Sequence, residues 1–244
     1  MTTPRVLRHE DTDQLVADAA QHLLSTLLQL QDSQETVHLC LTGGRTANRI
    51  YERFAELVPG SGLRPESLHL WWSDDCFVST TDPDRNALQA LSILARTLQL
   101  SSAQTHPMPA SDGKADPTEA AYAYANDLDG TIFDICLLGL GPDGHVASVF
   151  PGRPQGPDQG SSLVIGVTDS PKPPSERISL TLKAINRSQR VWVLVSGTDK
   201  AQAVAGALGG DPQLPAAQVH GQQETLWFVE EAAAVELPFY RCEL

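Results

Sequence analysis

Residues 133–151 read Phe-Asp-Ile-Cys-Leu-Leu-Gly-Leu-Gly-Pro-Asp-Gly-His-Val-Ala-Ser-Val-Phe-Pro, an apolar run that breaks into glycines and then offers one histidine. Ile135 to Leu138 is continuously apolar, as a strand buried on both faces of a parallel sheet must be. In open α/β sheets ligands bind beyond the carboxyl ends of the strands. Gly139, Gly141 and Gly144 let the backbone turn tightly at that end, and Asp143 and His145 are expected to project into the crevice there.

The spelling Gly139-Leu140-Gly141-Pro142-Asp143-Gly144 also matches the dinucleotide fingerprint G-x-G-x-x-G. Pro142 removes a backbone donor, and Asp143 would set a carboxylate against a pyrophosphate. Pro151 is expected to stop the following helix after about two turns, and no acidic residue ends a second strand at the required distance. Dinucleotide binding is therefore set aside. The plain alternative is a structural strand-to-helix turn with a solvated His145.

Other strand candidates end in similar punctuation. Val37 to Leu41 runs into Thr42-Gly43-Gly44-Arg45-Thr46 and then the helical pattern Ile50, Tyr51, Phe54, Ala55, Leu57. Unpaired N–H groups at such a helix start favour a phosphate or carboxylate, whereas an ordinary glycine turn would use Thr46 as its cap. Leu68 to Ser73 delivers Asp74 and Asp75, of which only one can easily enter a crevice because strand neighbours face opposite ways. The competing view is a solvated loop in which they serve as acidic N-caps. Arg85 stands at the mouth of a helix over residues 86–98, where it could close over an anion. Val191 to Val195 opens through Ser196-Gly197-Thr198-Asp199 into a helix over 199–208, with Lys200 in its first turn. Lysine there opposes the helix dipole, which makes sense if an anion lies between, although a snorkelling surface lysine fits as well.

The rest of the chain reads as scaffold. Val6 and Leu7 suggest an edge strand, and residues 11–30 form a helix with Leu15, Val16, Ala19, Leu23, Leu24, Leu27 and Leu28 inward, capped by Asp11 or Thr12. Residues 101–117 form a connection and Pro117 to Leu128 a helix. Gly152 to Gly160 is a loop, and Leu163 to Val167 a short strand. Ser170 to Ser175 is a stiff proline loop leading to Arg177-Ile178-Ser179-Leu180-Thr181. Leu226 to Val229 is the final strand, with a tail at 237–240 packing back on the body.

The 244 residues are expected to form one domain, 1–244. A net charge of −13 argues against binding nucleic acid or an anionic membrane, so basic residues on loops stand out. Cys40, Cys76, Cys136 and Cys242 lie far apart, as reduced thiols do. With no apolar leader, and no stretch near the roughly 20 residues of a membrane span, a cytoplasmic protein is expected.

Taken together, Leu41 to Thr46, Trp72 to Asp75, Leu138 to Gly152, Arg177 to Thr181 and Ser196 to Ala201 resemble the 6-phosphogluconolactonases of the glucosamine-6-phosphate isomerase/6-phosphogluconolactonase family over nearly the whole chain. The related deaminases share a Gly-x-Asp-Gly-His block that continues toward Ala-Phe-Asn-Glu; here Ala147-Ser148-Val149-Phe150-Pro151 follows, as in the lactonases. The resemblance implies a Rossmann-like three-layer α/β/α sandwich with a mostly parallel sheet. It also implies hydrolysis of 6-phospho-D-glucono-1,5-lactone to 6-phosphogluconate in the oxidative pentose phosphate pathway, without metal or cofactor. Two departures stand out: the family usually has Asp-Glu-Arg at Asp74-Asp75-Cys76, and commonly Ser-Gly-Gly-Ser-Thr where Arg45 here adds a cation.

The residues fit that chemistry in their own right. A δ-lactone is an activated ester, so a positioned water, a base and a donor to the developing oxyanion suffice. His145 is the expected base, with Asp74 and Asp143 as assisting carboxylates. Gly43, Gly44, Arg45, Thr46, Arg85, Arg177 and Lys200 are the expected anion-binding set. No G-x-S-x-G elbow or H-E-x-x-H motif supports a serine or zinc hydrolase. The alternatives are a sugar-phosphate isomerase or deaminase on the same fold, and a noncatalytic sugar-phosphate sensor. The expected partner is the sugar-phosphate lactone alone, and the expected assembly a monomer or weak homo-oligomer.

Overall fold

Leu39 to Leu41, Ile135 to Leu138 and Val191 to Val195 are buried along their whole length, with no outward polar face. Only a sheet covered on both sides accommodates such strands. The structure, a computed structural model, describes residues 2–154 and 162–237. Its strands are β1 (Arg5–His9), β2 (Val37–Leu41), β3 (Leu68–Trp72), β4 (Asp74–Cys76), β5 (Thr105–His106), β6 (Ile135–Gly139), β7 (Val164–Val167), β8 (Arg177–Leu180), β9 (Arg190–Val195) and β10 (Glu224–Glu230). Its helices are α1 (Thr12–Ser33), α2 (Arg45–Leu57), α3 (Asn86–Leu94), α4 (Pro117–Leu128), α5 (Leu182–Ile185) and α6 (Ala201–Leu208).

Seven strands form one sheet in the order β1-β10-β9-β6-β2-β3-β5, and every neighbouring pair is parallel. The chain winds outward from β2 through β3 to β5, then returns to lay β6 on the other side of β2. That reversal opens a crevice beyond the carboxyl ends of β2 and β6, the position at which such sheets bind ligands. Helices flank the sheet as expected of an α/β/α sandwich. α1 packs on β1, β2, β10 and α2, while α4 packs on β7 and β8. Asp11 caps α1 by accepting from Gln14 N at 2.8 Å. The Tyr124 hydroxyl on α4 accepts from Trp72 N at 2.9 Å and donates to Trp72 O at 3.1 Å, which fixes the end of β3. A smaller antiparallel sheet, β4-β8-β7, sets Asp74 opposite Ser179. Among the described residues no helix is long and apolar enough to cross a membrane.

The structure departs from the sequence reading at several points. No helix follows Gly144: residues 141–152 form turns, with a bridge between Val146 and Val149. The apolar spacing of Val146, Val149 and Phe150 is satisfied because the turn itself buries all three. The helix at 86 ends at Leu94, and the one at 199 begins as a 3-10 turn, Thr198–Lys200, before α6. The 152–160 loop lies partly outside the described residues; of the tail only Leu237 is described, packed against the core. Cys40, Cys76 and Cys136 are free and buried, and Cys242 lies outside the described residues.

On β2, β3 and the edge strand β5 a cluster of rings forms: His106 stacks on Trp71 and His69, and His38 lies tilted against His69 and Trp71. His69 Nδ1 and His106 Nε2 are 3.1 Å apart, and His106 Nδ1 is 3.1 Å from Asp127 on α4. Trp71 Nε1 donates to His38 Nδ1 at 3.1 Å, and Asp134 accepts from the His38 backbone N at 2.8 Å. An indole N–H only donates, so His38 Nδ1 must be unprotonated. Burial lowers the His38 pKa from its ordinary 6.5, and His69 and His106 lower it further against the opposing pull of Asp134. A histidine depressed in the folded state contributes stability that is full above its ordinary pKa and is lost as pH falls below it. In His38→Gln, whose amide oxygen can still accept from Trp71, stability measured by denaturant unfolding should fall less steeply below about pH 6.5 than in wild type. Parallel curves for the two proteins would contradict this account.

Candidate active site

Loops at the carboxyl end of the sheet enclose a crevice of about 640 Å³. The first follows β2. Gly44 adopts φ 104° and takes the N-cap position of α2, so Thr46 is not the cap but lies inside the helix. There the Thr46 and Ser196 hydroxyls are 2.6 Å apart, tying this loop to the one after β9. Thr42 is held by the Tyr51 hydroxyl at both its N–H (3.0 Å) and its carbonyl (2.8 Å). Gly43 is glycine for a steric reason: a Cβ on it would fall inside the Asn86 side chain.

The loop after β6 carries the histidine. Gly144, at φ 83°, turns the chain back, and Gly141 N donates to His145 O at 2.9 Å. The imidazole lies directly over Gly141, where any Cβ would collide with it. His145 Nδ1 is 2.5 Å from Asp143 Oδ1, and the ring packs on Phe150 at 4.7 Å between centroids. Partial burial pushes the Asp143 carboxyl up, but the charge of His145 and its hydrogen bonds outweigh this and hold the carboxyl below its ordinary pKa. An ionised Asp143 can only accept, so the contact requires a proton on Nδ1, and in the neutral imidazole the lone pair is then on Nε2. Two residues on, Ala147 lines the crevice at φ 48°, a left-handed conformation costly for a residue with a Cβ.

The paired acids after β3 separate as strand alternation requires. Asp74 lines the crevice; its Oδ2 accepts from Ser148 Oγ at 2.7 Å and lies 3.6 Å from Arg177 Nη1, and its Oδ1 is 3.4 Å from Asn86 Nδ2. Asp75 is fully buried and turned away, accepting from Cys76 N (2.9 Å), Asn86 N (2.7 Å) and Ala87 N (3.3 Å) at the start of α3. Burial raises its pKa to about 6 despite the counter-pull of Arg85.

Arg85 departs from expectation. It is only 3% exposed, its Nη2 lies 3.1 Å from Asp75 Oδ2 and donates to Met108 O at 2.5 Å, and it is not among the residues lining the crevice. The helix mouth turns it inward because Asp75 beneath it needs a counterion. Gly43, Gly44, Arg45, Thr46, Arg177 and Lys200 do line the crevice with Asp74 and His145. Arg177 Nε donates to Pro174 O at 3.1 Å, and Lys200 Nζ lies 3.1 Å from Asp199. Asp143 stands behind His145 instead of lining the crevice.

Sequence reasoning missed Lys172, Arg49, Asn86 and Ser148. Lys172 and Arg49 line the crevice, and a signal existed for both: Lys172 is a basic residue on a loop of an acidic chain, and Arg49 follows Arg45 by one helical turn. Asn86 and Ser148 had none, since only tertiary packing brings them to Asp74. Among the described residues no three His, Cys, Asp or Glu side chains converge to hold a metal ion.

Removing one partner of a buried pair costs about 3 to 5 kcal/mol, because a charge is left without its counterion. Arg85→Ala should destabilise the fold by that order, measured by denaturant unfolding, while Arg85→Ala and wild type bind inorganic phosphate alike. A variant of normal stability with impaired phosphate binding would return Arg85 to the crevice.

Comparison with known proteins agrees with the geometry. Residues 10–227 match the family described as glucosamine-6-phosphate isomerases/6-phosphogluconolactonase. The chain is 41% identical over 250 residues to the 6-phosphogluconolactonase of Streptomyces coelicolor, covering 97% of this chain and 95% of that one. It is 40% identical over 240 residues to the 6-phosphogluconolactonase of Mycobacterium tuberculosis, covering 93% and 96%. Among solved structures, the 6-phosphogluconolactonase of Thermotoga maritima superposes with a TM-score of 0.81 at 26% identity, covering 93% of this chain and 99% of that one. Sequence, sheet topology and the loops at the switch point therefore converge, and the chain belongs to the glucosamine-6-phosphate isomerase/6-phosphogluconolactonase family.

Proposed function

We propose that this protein hydrolyses 6-phospho-D-glucono-1,5-lactone to 6-phospho-D-gluconate, using a water activated by His145 and no metal. The observation that carries the reading is the Asp143–His145 pair set in a crevice lined by Arg45, Arg49, Lys172, Arg177 and Lys200. A histidine with an anchored Nδ1–H and a free Nε2 is built to take a proton, and the surrounding cations suit a phosphorylated substrate.

In the proposed reaction water oxygen bonds to the lactone carbonyl carbon while its proton passes to His145 Nε2. Asp143 steadies the imidazolium that forms, as the carboxylate of a catalytic triad does. The tetrahedral intermediate then breaks its bond to the ring oxygen, and His145 returns the proton to that oxygen. The products are a carboxylic acid and a free hydroxyl, so atoms and protons balance. The 6-phosphate is held at the start of α2 and by Lys200, where Thr46 and Ser196 meet. Asp74, gripped by Ser148 and Arg177, acts as a fixed acceptor for a sugar hydroxyl.

The test is hydrolysis of freshly prepared lactone against the spontaneous rate at the same pH, with glucosamine 6-phosphate as a control substrate. Acceleration of lactone opening without turnover of the amino sugar is the expected result; the reverse would transfer the protein to the isomerase or deaminase class. Lys200→Ala should act mainly on KM, by roughly tenfold to more than a hundredfold, the worth of a charge-assisted hydrogen bond. An unchanged KM would remove Lys200 from the phosphate site.

A further inference from the structure

Asn86 is the first residue of α3 and stands where three parts of the crevice meet. Its Nδ2 donates to the Asp74 carbonyl oxygen at 2.9 Å and lies 3.4 Å from Asp74 Oδ1. The same carboxamide fills the space beside Gly43 that a Cβ would otherwise occupy. Its side chain has no duty at the helix start, because the Asp75 carboxylate accepts the Asn86 and Ala87 backbone N–H groups and is itself anchored by Arg85. From the other side, Ser148 and Arg177 hold Asp74 Oδ2. Both oxygens of the Asp74 carboxylate thus have partners, Oδ2 in Ser148 and Arg177 and Oδ1 at 3.4 Å in Asn86, and the same Asn86 side chain packs directly against Gly43.

The sheet order β9-β6-β2-β3 places this junction on the β3 side of the crevice, away from Ser196 and Lys200 on the β9 side. The glycine loop spans the two, with Gly43 against Asn86 and Thr46 against Ser196. We infer that Asn86 is a positioning residue for the reaction proposed above, fixing Asp74 and the Gly43 backbone at the sugar-ring end while leaving the phosphate end untouched. The inference rests on the lactonase reading. A carboxamide suits this place because it offers an uncharged donor to a carboxylate and a carbonyl; aspartate would oppose Asp74 with a second negative charge.

Asn86→Ala and Asn86→Asp should each lower kcat on the lactone by about tenfold or more, the scale of a hydrogen bond to a charged group. The inhibition constant of inorganic phosphate should stay at the wild-type value, a split that a general collapse of the site would not give. Gly43→Ala supplies a second measurement: it should destabilise the wild-type protein in thermal melting, and most of that loss should vanish in the Asn86→Ala background, where the three atoms nearest the new methyl are gone. Wild-type kcat in both Asn86 variants, phosphate inhibition that weakens in step with kcat, or additive losses in the Gly43 and Asn86 pair would each overturn the inference. A wild-type protein that leaves the lactone at its spontaneous rate would overturn the lactonase reading and this inference with it; an active wild type with unaffected variants overturns the inference alone.

Discussion

The close approach of the β2 and β6 ends is the constraint on which the rest of the molecule depends. Two strands buried on both faces lie side by side, and the chain leaves each at the same edge. Thr42 Oγ1 accepts from Gly139 N at 3.3 Å across this junction. Loops crowded so tightly need glycine where backbones or rings pass, as Gly43 does beneath Asn86 and Gly141 beneath His145. A side chain at either position would displace a functional group, so the site's geometry is set by what is missing as much as by what is present.

The electrostatics follow the same plan. The chain carries a net charge of −13, yet five basic side chains gather around one crevice. Several are already balanced: Arg49 by Asp13, Arg177 by Asp74 and Lys200 by Asp199. Such pairs hold the cations in place, which would reduce the ordering that binding of the proposed phosphate must supply. The buried Asp75–Arg85 pair serves a different purpose. Burial disfavours the Asp75 charge and Arg85 offsets this in part, and the carboxylate so held fixes the start of α3 and with it Asn86.

Much of this was legible in the sequence. Continuous apolar runs ending in glycine marked the strands and the loops after β2, β6 and β9, because burial on both faces leaves no room for alternation. The separation of Asp74 from Asp75 followed from strand alternation, although the short β4–β8 pairing that enforces it did not. What escaped were contacts between loops remote in sequence. Ser148 reaches Asp74 from 74 residues away, and Arg85 turns inward to a carboxylate that local spacing could not reveal as buried. The helix expected after Gly144 failed because Val146, Val149 and Phe150 find burial through a tight turn with Ala147 left-handed, a conformation no apolar spacing announces.

The central claim is that the Asp143–His145 pair supplies the base for attack on the lactone. The most direct measurement is kcat and kcat/KM of His145→Ala across pH, with the spontaneous rate subtracted at each point and folding verified. The account predicts a kcat lower by about 10² to 10⁴, near-normal phosphate inhibition, and loss of the acidic limb that wild-type kcat/KM shows as the histidine protonates. A folded His145→Ala protein that keeps wild-type kcat and the same acidic limb would contradict it.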